Sequence, residues 1–231
     1  MKLLSTQNFK TVKGEKFGIL TGILYLAPAK LSGFEVCPKR SEGCTASCLY
    51  SAGMGAFSNV QKARIQKTLF YFGDRPKFLE LIKEDIKKLQ KQAKKDGQKL
   101  AIRLNGTSDL NWMQHDVFSS FPDVQFYDYT KVFNRLTKEI PSNYHLTFSK
   151  SENNDSECIQ ALKLGFNVAV VFDTKKGDAL PASWNGFPVY DGDDTDTRFL
   201  DPKGGYVIGL RAKGQAKKDI SGFVVTLNNA A

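Results

Sequence analysis

Apolar residues along the chain fall into short runs separated by polar punctuation, and the period inside the runs changes from place to place. FGILTGILYLAP (17–28) opens the series and predicts a strand or strand pair. LAIRL (100–104), VQFYDY (124–129), YHLTFS (144–149), NVAVVF (167–172), FPVYD (187–191) and YVIGLRA (206–212) read as further strands. NVAVVF is apolar without interruption, as expected of a parallel strand covered on both faces. A helical period appears between them. Ser58–Phe72 predicts a helix, with Ser58 or Asn59 as cap and Val60, Ala63 and Lys67 at helical spacing. The next is stronger: Asp74 is a suitable N-cap, Pro76 falls in the first turn, and Gly97 marks the stop. Between them Phe78, Leu79, Ile82, Ile86, Leu89 and Ala93 form one stripe. A third helix precedes NVAVVF, capped by Asp155 or Ser156, striped by Cys158, Ala161 and Leu162, and stopped by Gly165.

Strand, crossover and strand in repetition predict an α/β fold with a mainly parallel sheet, arranged as a partial or irregular (β/α) barrel. A doubly wound sheet is the alternative. With 231 residues, 41% of them hydrophobic, the chain reads as a single domain over 1–231 carrying a cysteine-rich metal-binding loop at 37–48. No apolar run is long enough to span a bilayer, and the start, MKLLSTQNFK, lacks a signal-peptide h-region and cleavage site. Both point to the cytoplasm and to no membrane partner.

A reducing compartment gives the cysteines their meaning, since clustered thiols there bind metal more often than they pair. Cys37, Cys44 and Cys48 lie within VCPKRSEGCTASCLYSAG at the spacing C-x6-C-x3-C. Three thiolates on one loop can hold one face of an iron–sulfur cluster or three corners of a zinc tetrahedron. A structural zinc wants a fourth ligand. Cys158 sits on an apolar stripe and reads as core, His145 lies inside a strand, and His115 follows the 105–109 loop and could reach the same rim. A cluster on three cysteines leaves one iron free for another ligand, and enzymes that cleave S-adenosylmethionine reductively use such an iron. Their usual spacing, C-x3-C-x2-C, differs from this one.

Ligands of parallel α/β folds bind beyond the C-terminal ends of the strands, where the connecting loops converge. The ends here supply Asn105 and Asp109, then Asp128 and Lys131, then Ser149 and Lys150, then Asp173, and finally Arg211 with Lys213 beyond it. The cations suit an anionic small molecule and the carboxylates can orient hydroxyls or amines. A formal net charge of +9 agrees with an anionic partner, nucleic acid included, although much of the excess falls on one helix, KEDIKKLQKQAKKDGQK. No helix-turn-helix, zinc-finger or RNA-recognition pattern accompanies it. DGDDTDTRFLDP matches the first three ligand positions of a calcium loop with Asp191, Asp193 and Thr195, but Asp196 and Pro202 stand where glycine and glutamate are required. The acidic run is expected to pair with Arg198 and the nearby basic ends.

The motifs LYLAPAKLSG, CPKRSEGCTASC, RLNGTSDLNW, FYDYTK, LTFSKSEN, VAVVF, DGDDTDTRFLDPKG and GLRAKG span most of the chain. Through them it resembles the gene-product-eighty-eight-like family of phage and prophage proteins, itself distantly similar to radical S-adenosylmethionine proteins. Relatives of that kind often carry more cysteines near the C-terminus; this chain has none beyond Cys158. The resemblance implies a [4Fe-4S] centre, a barrel-like fold and work inside a bacterial host. The resulting expectation is one [4Fe-4S] cluster on Cys37, Cys44 and Cys48 in a redox or radical-SAM-like enzyme acting on an anionic small molecule. S-adenosylmethionine is a candidate cofactor. The alternatives are a metal-stabilised nucleic-acid-binding module and a zinc-binding structural protein.

Overall fold

A computed structural model describes residues 1–6, 17–48, 50 and 53–226; the first-ten-residue leader reading and the cysteine stretch therefore lie partly outside the described residues. The strands are β1 (Leu4–Ser5), β2 (Ile19–Leu24), β3 (Lys99–Arg103), β4 (Gln125–Thr130), β5 (Tyr144–Ser149), β6 (Val168–Phe172), β7 (Ser183–Trp184), β8 (Phe187–Asp191), β9 (Val207–Arg211) and β10 (Val224–Val225). The α-helices are α1 (Glu42–Ala46), α2 (Ser58–Gly73), α3 (Arg75–Lys95) and α4 (Asp155–Lys163).

All ten strands join one sheet in the order β1-β2-β3-β4-β5-β6-β9-β8-β7, with β10 pairing separately against β6. From β2 to β8 every neighbouring pair is parallel, and only the outer pairs β1–β2 and β7–β8 are antiparallel. The mainly parallel α/β class is as expected. The sheet is open, with β1 at one edge and β7 at the other, so the strands do not close into a barrel. β6 has a divided flank: Val168 and Ala169 pair with the end of β5, while Val171 and Phe172 pair with β10.

α3 follows its sequence signals closely. Asp74 accepts a hydrogen bond from Lys77 N at 3.1 Å, Pro76 occupies the first turn, and Gly97 turns the chain out at φ +66°. Its buried face carries Phe78, Ile82, Ile86, Leu89 and Ala93 and packs on β2 and β3. Asp85 lies on the same face, where its carboxylate accepts hydrogen bonds from Leu3 N at 2.7 Å and Leu4 N at 3.1 Å. That contact fixes the short edge strand β1. Two caps differ from expectation. α2 begins after Phe57 with no side-chain cap, and α4 begins after Asn154, whose side chain instead accepts from Ser151 N at 2.7 Å. Cys158 is fully buried against α4's neighbours in the core, as its stripe implied.

Candidate functional site

The loop that follows β2 is tied down at both ends. Ala27 N donates to Thr68 Oγ1 of α2 at 2.9 Å, and Val36 accepts from Asp109 N at 2.8 Å, joining the loop to the one after β3. Glu35 then organises the first thiol: its carboxylate accepts from Cys37 N at 2.8 Å and from Arg40 Nε at 3.1 Å, while Arg40 Nη1 donates to Thr45 Oγ1 at 3.1 Å. Ser41 caps α1 by accepting from Cys44 N at 3.1 Å. Cys48 follows Cys44 by four residues, about one helical turn.

Glu152, on the loop after β5, clamps this turn. Its Oε2 accepts from Ser41 Oγ at 2.6 Å and its Oε1 from Gly43 N at 2.7 Å. Gly43 is buried there, and a Cβ would stand 2.9 Å from both carboxylate oxygens. Glu152 is absent from the sequence-predicted set. Its partners lie 111 and 109 positions away, so nothing local marks it.

The clamp presents the three thiols to one cavity of about 420 Å³, which Cys37, Cys44 and Cys48 line together with the loops after β3, β4, β5, β8 and β9. Of the strand-end residues expected to gather there, Asn105, Asp109, Lys131, Ser149 and Arg211 do, as does Lys213. Gly106 also lines it, with its backbone so close to β2 that a Cβ would lie 2.6 Å from Leu24 O.

Three expected residues stand elsewhere. Asp128 is buried beneath the rim, accepting from Asn105 N at 2.7 Å and Tyr144 Oη at 3.0 Å. Lys150 is turned away and buried, donating to Gly222 O at 2.8 Å with Asp155 at 3.6 Å. Asp173 lines a neighbouring cavity. The histidines are also outside: His115 Nε2 meets Tyr71 Oη at 3.3 Å, and His145 Nε2 is buried with no hydrogen-bond partner among the described residues.

The cavity residues that join have distinct duties. Asn105 is a hub, its Oδ1 accepting from Ser108 Oγ, Leu110 N and Trp112 Nε1 at 2.9, 2.9 and 3.2 Å. Asp109 accepts from Lys131 N at 2.9 Å and Arg135 Nη1 at 2.5 Å. Arg211 is held by Asp191 at 2.8 Å and Asp193 at 3.1 Å, and Lys213 by Asp193 at 2.5 Å. Sequence reasoning missed the buried pair of Arg103 and Asp196 at 2.9 Å, which lines the same wall with Tyr129 stacked 4.7 Å from the guanidinium. Lys131 differs from these paired cations. Its Nζ donates to Ser149 Oγ at 2.8 Å and, among the described residues, meets no carboxylate. The expected pairing of Arg198 is also found, with Asp201 at 3.2 Å.

Burial pushes the Cys37 thiol up to about 12 and raises Cys48 as well, although a backbone hydrogen bond from Tyr50 and the charges of Arg64 and Lys131 work to lower the latter. Arg64 of α2 is 8% exposed, its guanidinium 4.9 Å from the Tyr25 ring and 5.6 Å from the Tyr50 ring. Its Nε and Nη1 have no hydrogen-bond partner among the described residues. A buried cation in that condition calls for a neighbouring anion, and a metal-bound Cys48 sulfur would supply one. Among the described residues, no group of three or more His, Cys, Asp or Glu side chains is drawn into a cage that could hold a metal ion. The three thiols share a cavity without closing on one another. Also among the described residues, no helix is long and apolar enough to cross a membrane.

Residues 2–227 match the family model described as gene product 88, and the chain belongs to that family. No curated protein and no solved structure was found to match it.

Proposed function

We propose that this gene product 88 family member is an iron–sulfur protein in which Cys37, Cys44 and Cys48 hold one [4Fe-4S] cluster, and that it acts as a redox or radical-SAM-like enzyme on an anionic small molecule. The observation that carries the reading is the meeting of all three thiols with five of the predicted strand-end residues around one cavity. The donor set suits a cluster better than a lone zinc ion. A structural zinc takes four protein ligands; neither histidine nor Cys158 lines the cavity, and the carboxylates that do are already engaged, Asp109 by Arg135 and Lys131 N, Asp193 by Arg211 and Lys213, and Asp196 by Arg103. Loops that bind metal through thiolates close as the metal binds, because part of their ordering comes from the binding itself. Arg64 offers the charge such a centre would need behind Cys48.

When bound, a cluster of this kind supplies single electrons and one iron without a thiolate ligand, where S-adenosylmethionine or substrate could attach. The chain's own residues would do the remainder. Lys131, oriented by Ser149, offers the accessible positive charge for an anionic group. Asp109 is fixed by Arg135 and so holds the Lys131 backbone in place. The Arg211–Asp193–Lys213 group forms a polar wall that can exchange one of its carboxylate contacts for a ligand. The order β2-β3-β4-β5-β6 is that of a (β/α) barrel, and we read the open sheet as a partial one.

Anaerobic purification tests this directly. The expected result is a brown protein with iron and sulfide in stoichiometric amount and an EPR signal on dithionite reduction that changes when S-adenosylmethionine is added. Replacing Cys37, Cys44 and Cys48 together by serine is expected to abolish both colour and signal. A colourless protein with one zinc per chain would refute the reading.

A further inference from the structure

The cluster reading leaves a second cavity unused. It measures about 750 Å³ and is formed by the segments beyond β6, β9 and β10, on the same rim of the sheet. Lys175, Lys176 and Lys217 line it, and Asp193, Arg211 and Lys213 form a wall common to both cavities. The charges of this wall are unequal in their commitments. Asp193 is already engaged by Arg211 and Lys213, and Asp219 accepts from Ser221 Oγ at 2.7 Å and Val224 N at 2.9 Å. Asp173 also has a partner. By contrast, Lys175, Lys176 and Lys217 make no ion pair among the described residues. Arg211 Nη2 donates to Asp178 O at 2.8 Å, which fixes the lysine-bearing loop to β9 and so to the common wall.

We propose that this second cavity binds the phosphoryl group of a phosphorylated small molecule whose other end crosses the Asp193–Arg211–Lys213 wall toward the three thiols. Uncommitted ammonium groups gathered around one concave surface focus potential on an anion, and lysine is a regular phosphate partner. Both cavities fall in the size range of small-molecule sites. A nucleic-acid backbone would instead need a continuous basic track. The lysine-rich helix α3 packs against β1, β2 and β3, whereas this cavity sits at β6, β9 and β10, so the two basic regions do not join. The inference deepens the function proposed above and rests on it for the direction in which the ligand points.

The test uses the full chain and inorganic pyrophosphate in calorimetric titration, with Lys175, Lys176 and Lys217 replaced together by glutamine. The expected result is binding to the parent protein and a loss of affinity on the order of tenfold or more in the variant, with an unchanged melting temperature because the three lysines are exposed. The Cys37, Cys44 and Cys48 to serine variant is expected to keep pyrophosphate binding. If it does while the parent protein holds no iron, the cluster reading fails and the phosphoryl site stands. Absence of binding, or equal affinity in the lysine variant, overturns the phosphoryl site. Tighter, lysine-dependent binding of a single-stranded oligonucleotide would also overturn it in favour of nucleic acid.

Discussion

Replacing Glu152 by alanine removes the two hydrogen bonds that seat α1, those to Ser41 Oγ at 2.6 Å and Gly43 N at 2.7 Å. Hydrogen bonds to a charged group contribute about 1.5–3 kcal/mol each. One partly exposed carboxylate making both is expected to hold the turn by about 2 kcal/mol. That corresponds to an increase of about 30-fold in exchange of the Gly43 amide, read by hydrogen–deuterium exchange, with Cys44 N affected through its cap on Ser41. Iron retained per chain should fall in parallel. Partial burial works to raise the Glu152 carboxyl, but the bonds from Ser41 and Gly43 outweigh it and hold the group below its ordinary 4.5. Its contribution is therefore present above pH 4.5 and lost as pH falls through the lower folded value. Gly43→Ala should mimic the defect by pressing a methyl group onto Ser221 and onto the carboxylate oxygens at 2.9 Å. Unchanged exchange at Gly43 and Cys44 in Glu152→Ala would refute the clamp.

Other consequences are equally direct. Burial drives Asp128 up to about 7 in the folded chain against 3.8 in the open one, so its contribution is complete below pH 3.8 and lost as pH rises through about 7; Asp128→Asn should remove about 4 kcal/mol of that pH dependence, seen as urea midpoints that no longer fall between pH 4 and 8. Arg64→Met replaces a guanidinium with two unpartnered nitrogens, and should leave the metal-free chain as stable or about 1 kcal/mol more so while weakening iron retention; a large drop in the melting temperature of metal-free protein would contradict it. Cys158→Ala should cost about 1–2 kcal/mol by packing loss in the core and leave iron content unchanged; loss of iron would make Cys158 a ligand.

Local signals account for much of the architecture. α3 was readable because Asp74, Pro76, the apolar stripe and Gly97 all act within a few residues of where they sit. β6 was readable because a strand covered on both faces must be apolar throughout. β1 and β10 are two-residue strands whose existence depends on partners far along the chain, such as Asp85 for β1 and β6 for β10, while β7 is a two-residue strand, too short for a period, that pairs with β8 across the Asn185-Gly186 turn. The open sheet was equally hidden, since strand order within a parallel set follows from packing and not from any one segment. In the site, the rule that strand ends converge located Asn105, Asp109, Lys131, Ser149 and Arg211 around one cavity. It could not tell which polar groups point outward. Asp128 and Lys150 turn into the protein, where buried donors and acceptors satisfy them. Within LAIRL nothing marks Arg103 as a site residue, because its partner Asp196 comes 93 positions later.

The insertion of β10 beside β6 has a bearing on biosynthesis. Phe223, just before that strand, lines the same cavity as the cysteines with the Lys131 ammonium 5.7 Å from its ring, and Gly222 is anchored by Lys150 at 2.8 Å. A nascent polypeptide that has exposed Cys37, Cys44 and Cys48 outside the ribosome still lacks this roof. Were the proposed cluster built on those thiols, its chamber would be complete only once residue 225 has emerged and β10 has paired with β6.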